Sequence, residues 1–316
     1  MPKDLPARFK DENAARKHLE ALQWPDGPVC PHCGVLGRSS RIKGGRAGLL
    51  FCGDCRQQYT VTVGTVFERS KVPLNTWLYA THLLCSSKKG ISSHQMARML
   101  GVTYKTAWFM THRIREAMNP AEGSEPPLGG EGQVVEADET ELGHSPKSRS
   151  KGRAHNLKFV SLVERGGRVR SRKITGKNKP ISLDIHNALY TQVDRKSTLH
   201  TDGAKHYKYT AFHHTHEAVN HDREFVRDGK LAGKVHINTA EGYFSILKRG
   251  LVGTYQHMSE QHLPRYLAEF DFRMSHRAKL GFTDDMRTDK ALEGIKGKRL
   301  TYRRTDKASN GEAVGA

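Results

Sequence analysis

Three acidic residues and a lysine in the second half of the chain carry the chemistry that this sequence offers. The segment QVVEADET sets Asp138 at the end of an apolar, β-branched run. STLHTDGAKHY sets Asp202 at the end of a second such run, ahead of the turn-forming Gly203. VHINTAEGYFSILKRG sets Glu241 in the first turns of a predicted helix, with Lys248 two turns on and on the same face. The separations are 202 − 138 = 64 and 241 − 202 = 39 residues, so two strand ends and a helix must carry the three carboxylates to one point. Convergent carboxylates are hard oxygen ligands suited to Mg²⁺, and Mn²⁺ fits the same ligand type. Beside a phosphodiester, a pair of such ions stabilises the attacking and the leaving oxygen of an in-line displacement. Asp138 can bridge both ions, Asp202 can hold one, Glu241 can complete the second, and Lys248 can reach a phosphate. No Ser or Tyr nucleophile is needed for such chemistry.

The rest of the composition fits a polyanionic partner. The 316 residues have room for about two to three domains. With 52 Lys and Arg against 33 Asp and Glu, the formal charge is +19 and the pI about 9.8. Such an excess in a globular protein points to nucleic acid, a solvated basic surface being the plainer reading. A membrane role is disfavoured, because no apolar run approaches the roughly 20 residues of a spanning helix. The segment MPKDLPARFKDENAARK has no apolar signal core, so a cytoplasmic location is expected. There, disulfides are disfavoured and the five cysteines need another role.

Four of them form CPHC (Cys30, Cys33) and CGDC (Cys52, Cys55), with 18 residues between the pairs. Two such knuckles close one tetrahedral Zn²⁺ site with no open position, which is a structural site. Two redox dithiols are the alternative. The span between the pairs reads as two short strands around a Gly-rich turn, and YTVTVGTVF as a third, together a zinc ribbon. Cys85, in the apolar WLYATHLLC, reads as a core residue.

From Ile91, ISSHQMARMLGVTYKTAWFMTHRIREAM reads as a helix-turn-helix. Ser92 or Ser93 caps the first helix, Met96, Ala97 and Leu100 face inward, Gly101 makes the turn and Thr103 caps the second helix. Ala107, Trp108 and Ile114 are expected inside. Tyr104, Lys105, Thr111, His112 and Arg115 are expected outside, where a recognition helix meets the major groove. Any αα-hairpin gives a similar pattern. NPAEGSEPPLGGEGQ then breaks the chain as a linker. Strands are expected at about 133–139, 157–164, 168–174, 197–202 and 214–220, and helices at about 180–192, 238–250 and 260–277. This order predicts an α/β mixed sheet covered on both faces, with its first and fourth strands adjacent.

At this point the chain resembles the DDE-type transposases of bacterial insertion sequences. The resembling subgroup has an N-terminal zinc ribbon, a helix-turn-helix and a ribonuclease H-like catalytic domain. The residues that carry the likeness are LQWPDGPVCPHCG (22–34), CRQQYTVTVGTVFERSKVPLNTW (55–77), VEADET (135–140), TDGAKHY (201–207) and VHINTAEGYFSILKRG (235–250). The resemblance implies that Asp138, Asp202 and Glu241 are the metal-binding triad, and that the reaction is cleavage and strand transfer at the ends of a mobile element. The partners would be double-stranded element ends and target DNA, and two ends must meet, which implies at least a dimer on DNA. The expected boundaries are 1–70 for the first helix and ribbon, 71–118 for the helix-turn-helix, 119–132 for the linker, 133–279 for the catalytic domain and 280–316 for a basic, partly disordered tail.

Several features stay open at this level. The loop SPKSRSKGRAHN carries Lys147, Arg149, Lys151 and Arg153, which either grip phosphates or form a solvated hairpin tip. HHTHEAVNH is either a second zinc site or a set of polar histidines beside a phosphate-binding face. Glu136, Glu139 and Glu141 flank Asp138 and are set aside, strand alternation turning Glu139 to the opposite face. His236 and Asn238 stand ahead of the helix, where they can position substrate or a ligand. A transposase-derived DNA-binding regulator without catalysis, or a cellular nuclease on the same fold, are the rival functions.

Overall fold

Two short side chains, Asp11 and Thr103, cap helices in the N-terminal half. The computed structural model describes residues 5–121, 123–142, 157–174, 181–208, 210–220, 224–229 and 233–301. The chain divides into two compact units, one made of the residues up to Thr81, Ser93–Ala117 and those from Ile295 on, the other of His82–Ser92 and Met118–Gly294. In the first unit, α1 (Ala7–Lys10) leads into α2 (Glu12–Gln23), whose cap Asp11 accepts from the Ala14 N–H at 2.6 Å. Three short antiparallel strands follow, β1 (Ser39–Arg41), β2 (Leu50–Cys52) and β3 (Gln58–Tyr59). The third is shorter than YTVTVGTVF led us to expect. Val63 N–H donates to the Thr60 carbonyl at 3.1 Å and Gly64 takes a φ of +72°, so this stretch turns instead of pairing. Val61, Val66 and Phe67 are nonetheless buried, entering the core from turns.

Helix α3 (Leu74–Ser86) buries Trp77 and Leu78, with the Trp77 ring 4.9 Å from Phe67. The helix-turn-helix is α4 (Ser93–Leu100) and α5 (Tyr104–Met118). Gly101 takes the left-handed φ of +67° that its turn needs, and the Thr103 hydroxyl accepts from the Thr106 N–H at 3.2 Å. Met96, Ala107, Met110 and Ile114 form its buried side.

The second unit is built on one sheet. Strands β4 (Val134–Leu142), β5 (Leu157–Glu164) and β6 (Val169–Ile174) pair antiparallel in succession. Helix α6 (Ile181–Gln192) crosses one face, and β7 (Thr198–Thr201) then lies parallel to β4, with β8 (Thr215–Ala218) parallel beyond it. The order is β6-β5-β4-β7-β8. Strand alternation divides the core in two. Val135, Ala137, Leu162 and Leu199 pack with Ile185 and Leu189 of α6. Phe159, Val163 and Val169 pack with Tyr243, Phe244, Leu247, Leu267 and Phe270 from α7 (Asn238–Gly250) and α8 (Leu263–Ser275). Three antiparallel strands followed by two parallel ones, covered by helices on both faces, make a ribonuclease H-like sheet, the α/β architecture that the sequence predicts. A two-residue hairpin ahead of α7, at Arg227–Asp228 and Lys234–Val235, is too short to leave a periodic signal.

Two boundaries differ from expectation. Leu128, inside the predicted linker, is fully buried, and it exchanges hydrogen bonds with Gln192 (2.7 Å) and Asp194 (2.9 Å). The segment after the expected end of the catalytic domain is also folded. Thr283 caps α9 (Asp284–Glu293), which buries Ala291 and Leu292. Beyond it Ile295 and Gly297 bond to Val66 and Gly64, and the Lys298 amine donates to the Ala117 carbonyl at 3.0 Å. A polar composition hid these anchors.

Candidate functional site

The four ribbon cysteines converge as their spacing requires. Cys30 Sγ lies 3.6 Å from Cys55 Sγ and Cys33 Sγ 3.7 Å from Cys52 Sγ, and all four lie within 4.8 Å of one another. A Zn²⁺ with Zn–S bonds of about 2.3 Å has tetrahedral edges of about 3.8 Å, so the sulfurs stand at the spacing of a zinc cage. The backbone N–H groups of Cys55 and Asp54 push the Cys52 thiol down to about 7, while burial and neighbouring sulfurs hold Cys33 and Cys55 above the usual thiol value. Cys85 is a core residue as expected: burial pushes its thiol up, and its sulfur faces the Arg287 carbonyl at 3.7 Å. Among the described residues no other group of three or more His, Cys, Asp or Glu ligand atoms lies within that span. The HHTHEAVNH histidines in this set therefore form no second cage; His216 instead bonds the Thr201 hydroxyl at 2.9 Å.

The carboxylates come together through strand register. β4 and β7 pair in parallel through Glu136↔His200; Asp138 lies two residues further along β4, and Asp202 is the first residue past β7. Period-two alternation turns Asp138, like Glu136, to the α7 side of the sheet, while Asp202 Oδ1 accepts from the Ala204 N–H at 2.9 Å in the turn that follows β7. Glu241 lies in the first turn of α7, exposed, with Lys248 exposed on the same face. Burial, together with the charges of Glu139, Asp202 and Glu241, pushes the Asp138 carboxyl up to about 7. Asp138 thus feels the other two acids, although the three are spread more widely than the four sulfurs. Glu139 faces the other way, accepting from the Tyr207 hydroxyl at 2.7 Å and pairing with His206 at 2.8 Å.

Sequence reasoning set Glu136 aside, yet it is the most connected acid of the site. Its carboxylate is fully buried on the same strand face as Asp138. Oε2 accepts from the backbone N–H groups of Thr239 (2.7 Å) and Ala240 (3.0 Å), and Oε1 from the Thr239 hydroxyl (2.9 Å) and Arg165 Nε (2.9 Å). Arg165 also donates to the carbonyls of Lys234 and His236 (both 3.1 Å) and approaches His200 Nδ1 at 3.2 Å. Burial and the adjacent Arg165 charge push His200 down to about 4, so its imidazole is neutral. His236 turns toward Arg165 and away from a ligand role, its Nδ1 lying 3.1 Å from Nη2. A signal was present: an acid two residues before Asp138 in an apolar strand shares its buried face and must find partners.

The helix-turn-helix corrects part of the expected DNA contact set. Tyr104 is 45% exposed and Lys105 is exposed, as expected of a groove-facing helix start. His112 and Arg115 are buried, together with Thr111. The His112 ring packs on Trp108 at 4.2 Å, and Arg115 donates to the Thr111 hydroxyl at 3.3 Å. The second half of α5 is enclosed around its circumference, so polar side chains there do not imply a free face. Lys147, Arg149, Lys151 and Arg153 lie outside the described residues. Among the described residues no helix is long and apolar enough to cross a membrane.

Comparison with known proteins gives these features a common origin. Residues 127–275 match the ISXO2-like transposase domain, and residues 10–58 match the transposase zinc-ribbon domain. A relative from Halobacterium salinarum, described as an uncharacterized protein in transposable element ISH50, is 27% identical over 283 residues, spanning 84% of this chain and 91% of its own length. That relative is archaeal, so the likeness does not tie the chain to bacteria. With its zinc ribbon, its ribonuclease H-like sheet and both domain matches in sequence order, the chain belongs to the ISXO2-like transposases, whose DDE-type domain implies transposase activity on DNA.

Proposed function

We propose that the protein binds the terminal inverted repeats of an insertion sequence and catalyses metal-dependent strand cleavage and strand transfer there. The carrying observation is the nearness of Asp138 on β4 to Asp202 just past the adjacent β7, where burial and then the charges of Glu139, Asp202 and Glu241 push the Asp138 carboxyl up to about 7. Mutual repulsion of three acids is relieved by divalent cations, so the donor set fits two Mg²⁺ or Mn²⁺ ions held by Asp138, Asp202 and Glu241. When bound, such ions supply the charge that stabilises the attacking and leaving oxygens of phosphoryl transfer. Lys248, exposed on the Glu241 face, binds a phosphate of the reacting strand. Tyr104 and Lys105 meet DNA from α5, and Lys147, Arg149, Lys151 and Arg153 add phosphate contacts. The ribbon zinc has no open position and shapes the DNA-binding half. Two element ends must be joined in one event, which calls for a homodimer or larger assembly on DNA in the cytoplasm.

The test uses purified protein and labelled duplexes carrying the repeats that flank the reading frame. Asp138→Ala, Asp202→Ala and Glu241→Ala are each expected to reduce cleavage and joining to background while binding to the repeats persists. Normal cleavage by any one of them removes that residue from the set. Wild-type protein that binds the repeats yet never cuts them, with Mg²⁺ or Mn²⁺ present, favours a regulator instead.

A further inference from the structure

Helix α7 starts without a cap of its own. Its N-cap residue is Ile237, which has no side-chain oxygen, yet the opening N–H groups of a helix need acceptors. Glu136 supplies them from β4: Oε2 takes both the Thr239 and Ala240 N–H groups, and Oε1 takes the Thr239 hydroxyl. A buried anion at this end also meets the positive pole of the helix. Arg165 anchors the same carboxylate at 2.9 Å and ties it to the His236 carbonyl just ahead of the helix. Glu241 is the next residue after Ala240, its N–H closing the first helical bond onto Ile237 at 3.0 Å. One side chain, two residues from Asp138, therefore sets the height and rotation of the turn that carries Glu241.

We propose that Glu136, anchored by Arg165, is the positioning residue that holds Glu241 at a fixed offset from Asp138, and so sets the affinity of the carboxylate site for divalent cations. The proposal rests on the reading of Asp138, Asp202 and Glu241 as cation ligands. Glu136 itself touches neither cation nor DNA; it acts through the first turn of α7. The Thr239 hydroxyl adds one bond to the two that the Thr239 and Ala240 N–H groups make with the same carboxylate.

The experiment titrates Mn²⁺ into zinc-loaded full-length protein and reads binding by electron paramagnetic resonance, with amide exchange at residues 238–242 followed in parallel. Glu136→Gln keeps the shape but turns an N–H₂ group toward donors. It is expected to raise the half-saturating Mn²⁺ concentration about 10- to 100-fold, the usual span for loss of a group that orients a ligand. Exchange at Thr239 and Ala240 is expected to quicken, and strand cleavage to recover at high Mn²⁺. A merely structural defect lowers the active fraction without moving the half-saturation point. Thr239→Val removes only the hydroxyl contact and is expected to shift half-saturation a few-fold; it decides the matter if Glu136→Gln does not fold. Wild-type half-saturation in the folded variant overturns the proposal. Asp138→Asn separates the two layers. If it binds Mn²⁺ like the wild type, the cation reading falls and the positioning role with it. If it loses Mn²⁺ while Glu136→Gln does not, the positioning role alone falls.

Discussion

Removing zinc should unfold the ribbon and leave the helices around it standing. Besides its cysteines, the ribbon core holds only Leu50 and Tyr59 as fully buried side chains, with Trp24, Val35 and Val63 partly buried around them. Burying two such side chains contributes about 3–6 kcal/mol. Four thiolates on Zn²⁺ contribute about 10–16 kcal/mol near neutral pH, so the metal term is the larger by a factor of about two to five. Helices α2 and α3 do not draw on it, because Ala15, Leu19, Trp77 and Leu78 are buried on their own account. The assay is hydrogen exchange resolved by segment, with zinc release counted by a chromophoric chelator. One zinc per chain should leave; exchange across residues 30–59 should then rise to unfolded rates, while α3 and the large sheet stay protected. Cys33→Ser, at the most exposed of the four sulfurs, should mimic chelation. Acid should do the same, because protons compete with Zn²⁺ for the four ligating thiolates. Intact protection of residues 30–59 in protein shown to be free of zinc would refute the argument.

Two further outcomes follow from single side chains. Asp271 accepts from Ser171 N–H and Oγ (both 2.7 Å) and from the Tyr243 hydroxyl (2.6 Å), yet burial still raises its carboxyl from 3.8 to about 6. A value raised by folding means that the contribution to stability is full below the unfolded value and is lost as pH rises through the folded one. Asp271→Asn should therefore match the wild type near pH 4 and gain on it near pH 7.5, by up to about 3 kcal/mol at 1.36 kcal/mol per pH unit. Urea denaturation at both pH values checks this; a variant that loses ground on the wild type between pH 4 and 7.5 overturns it. Thr103→Ala removes the oxygen that caps α5 and should cost about 1 kcal/mol. A melting temperature identical to wild type would show that the cap contributes nothing.

Part of the site was legible because its chemistry is local. The apolar run ahead of Asp202, with Gly203 after it, marks the end of β7, whereas Asp138 lies in the middle of β4 and not at the strand tip that its run suggested. The cysteine pairs are legible for the same reason: each knuckle is local. What stayed hidden depends on neighbours distant in sequence. Glu136 looks like one flanking acid among several until Thr239, more than a hundred residues later, is seen to use it. Burial of His112 and Arg115 is decided by what encloses α5, which no helical period reveals. Leu128 and Ile295 were lost inside polar, Gly- or Lys-rich stretches, where a single apolar anchor carries too little pattern to be heard.

The threading of the backbone has a consequence for how such a protein can be cut or inherited. The polypeptide passes from one compact body to the other after Thr81, Ser92, Ala117 and Gly294, the first crossing lying inside the unbroken helix α3. Neither body is a contiguous stretch of the gene. A fragment ending near residue 118 lacks the returning strap at Ile295 and Gly297 that closes on Val66 and Gly64. One that begins there lacks His82 and Cys85, which bond Thr288 and Arg287. A lone crossover between two related elements that falls anywhere within residues 82–294 would therefore split both bodies between the two parents.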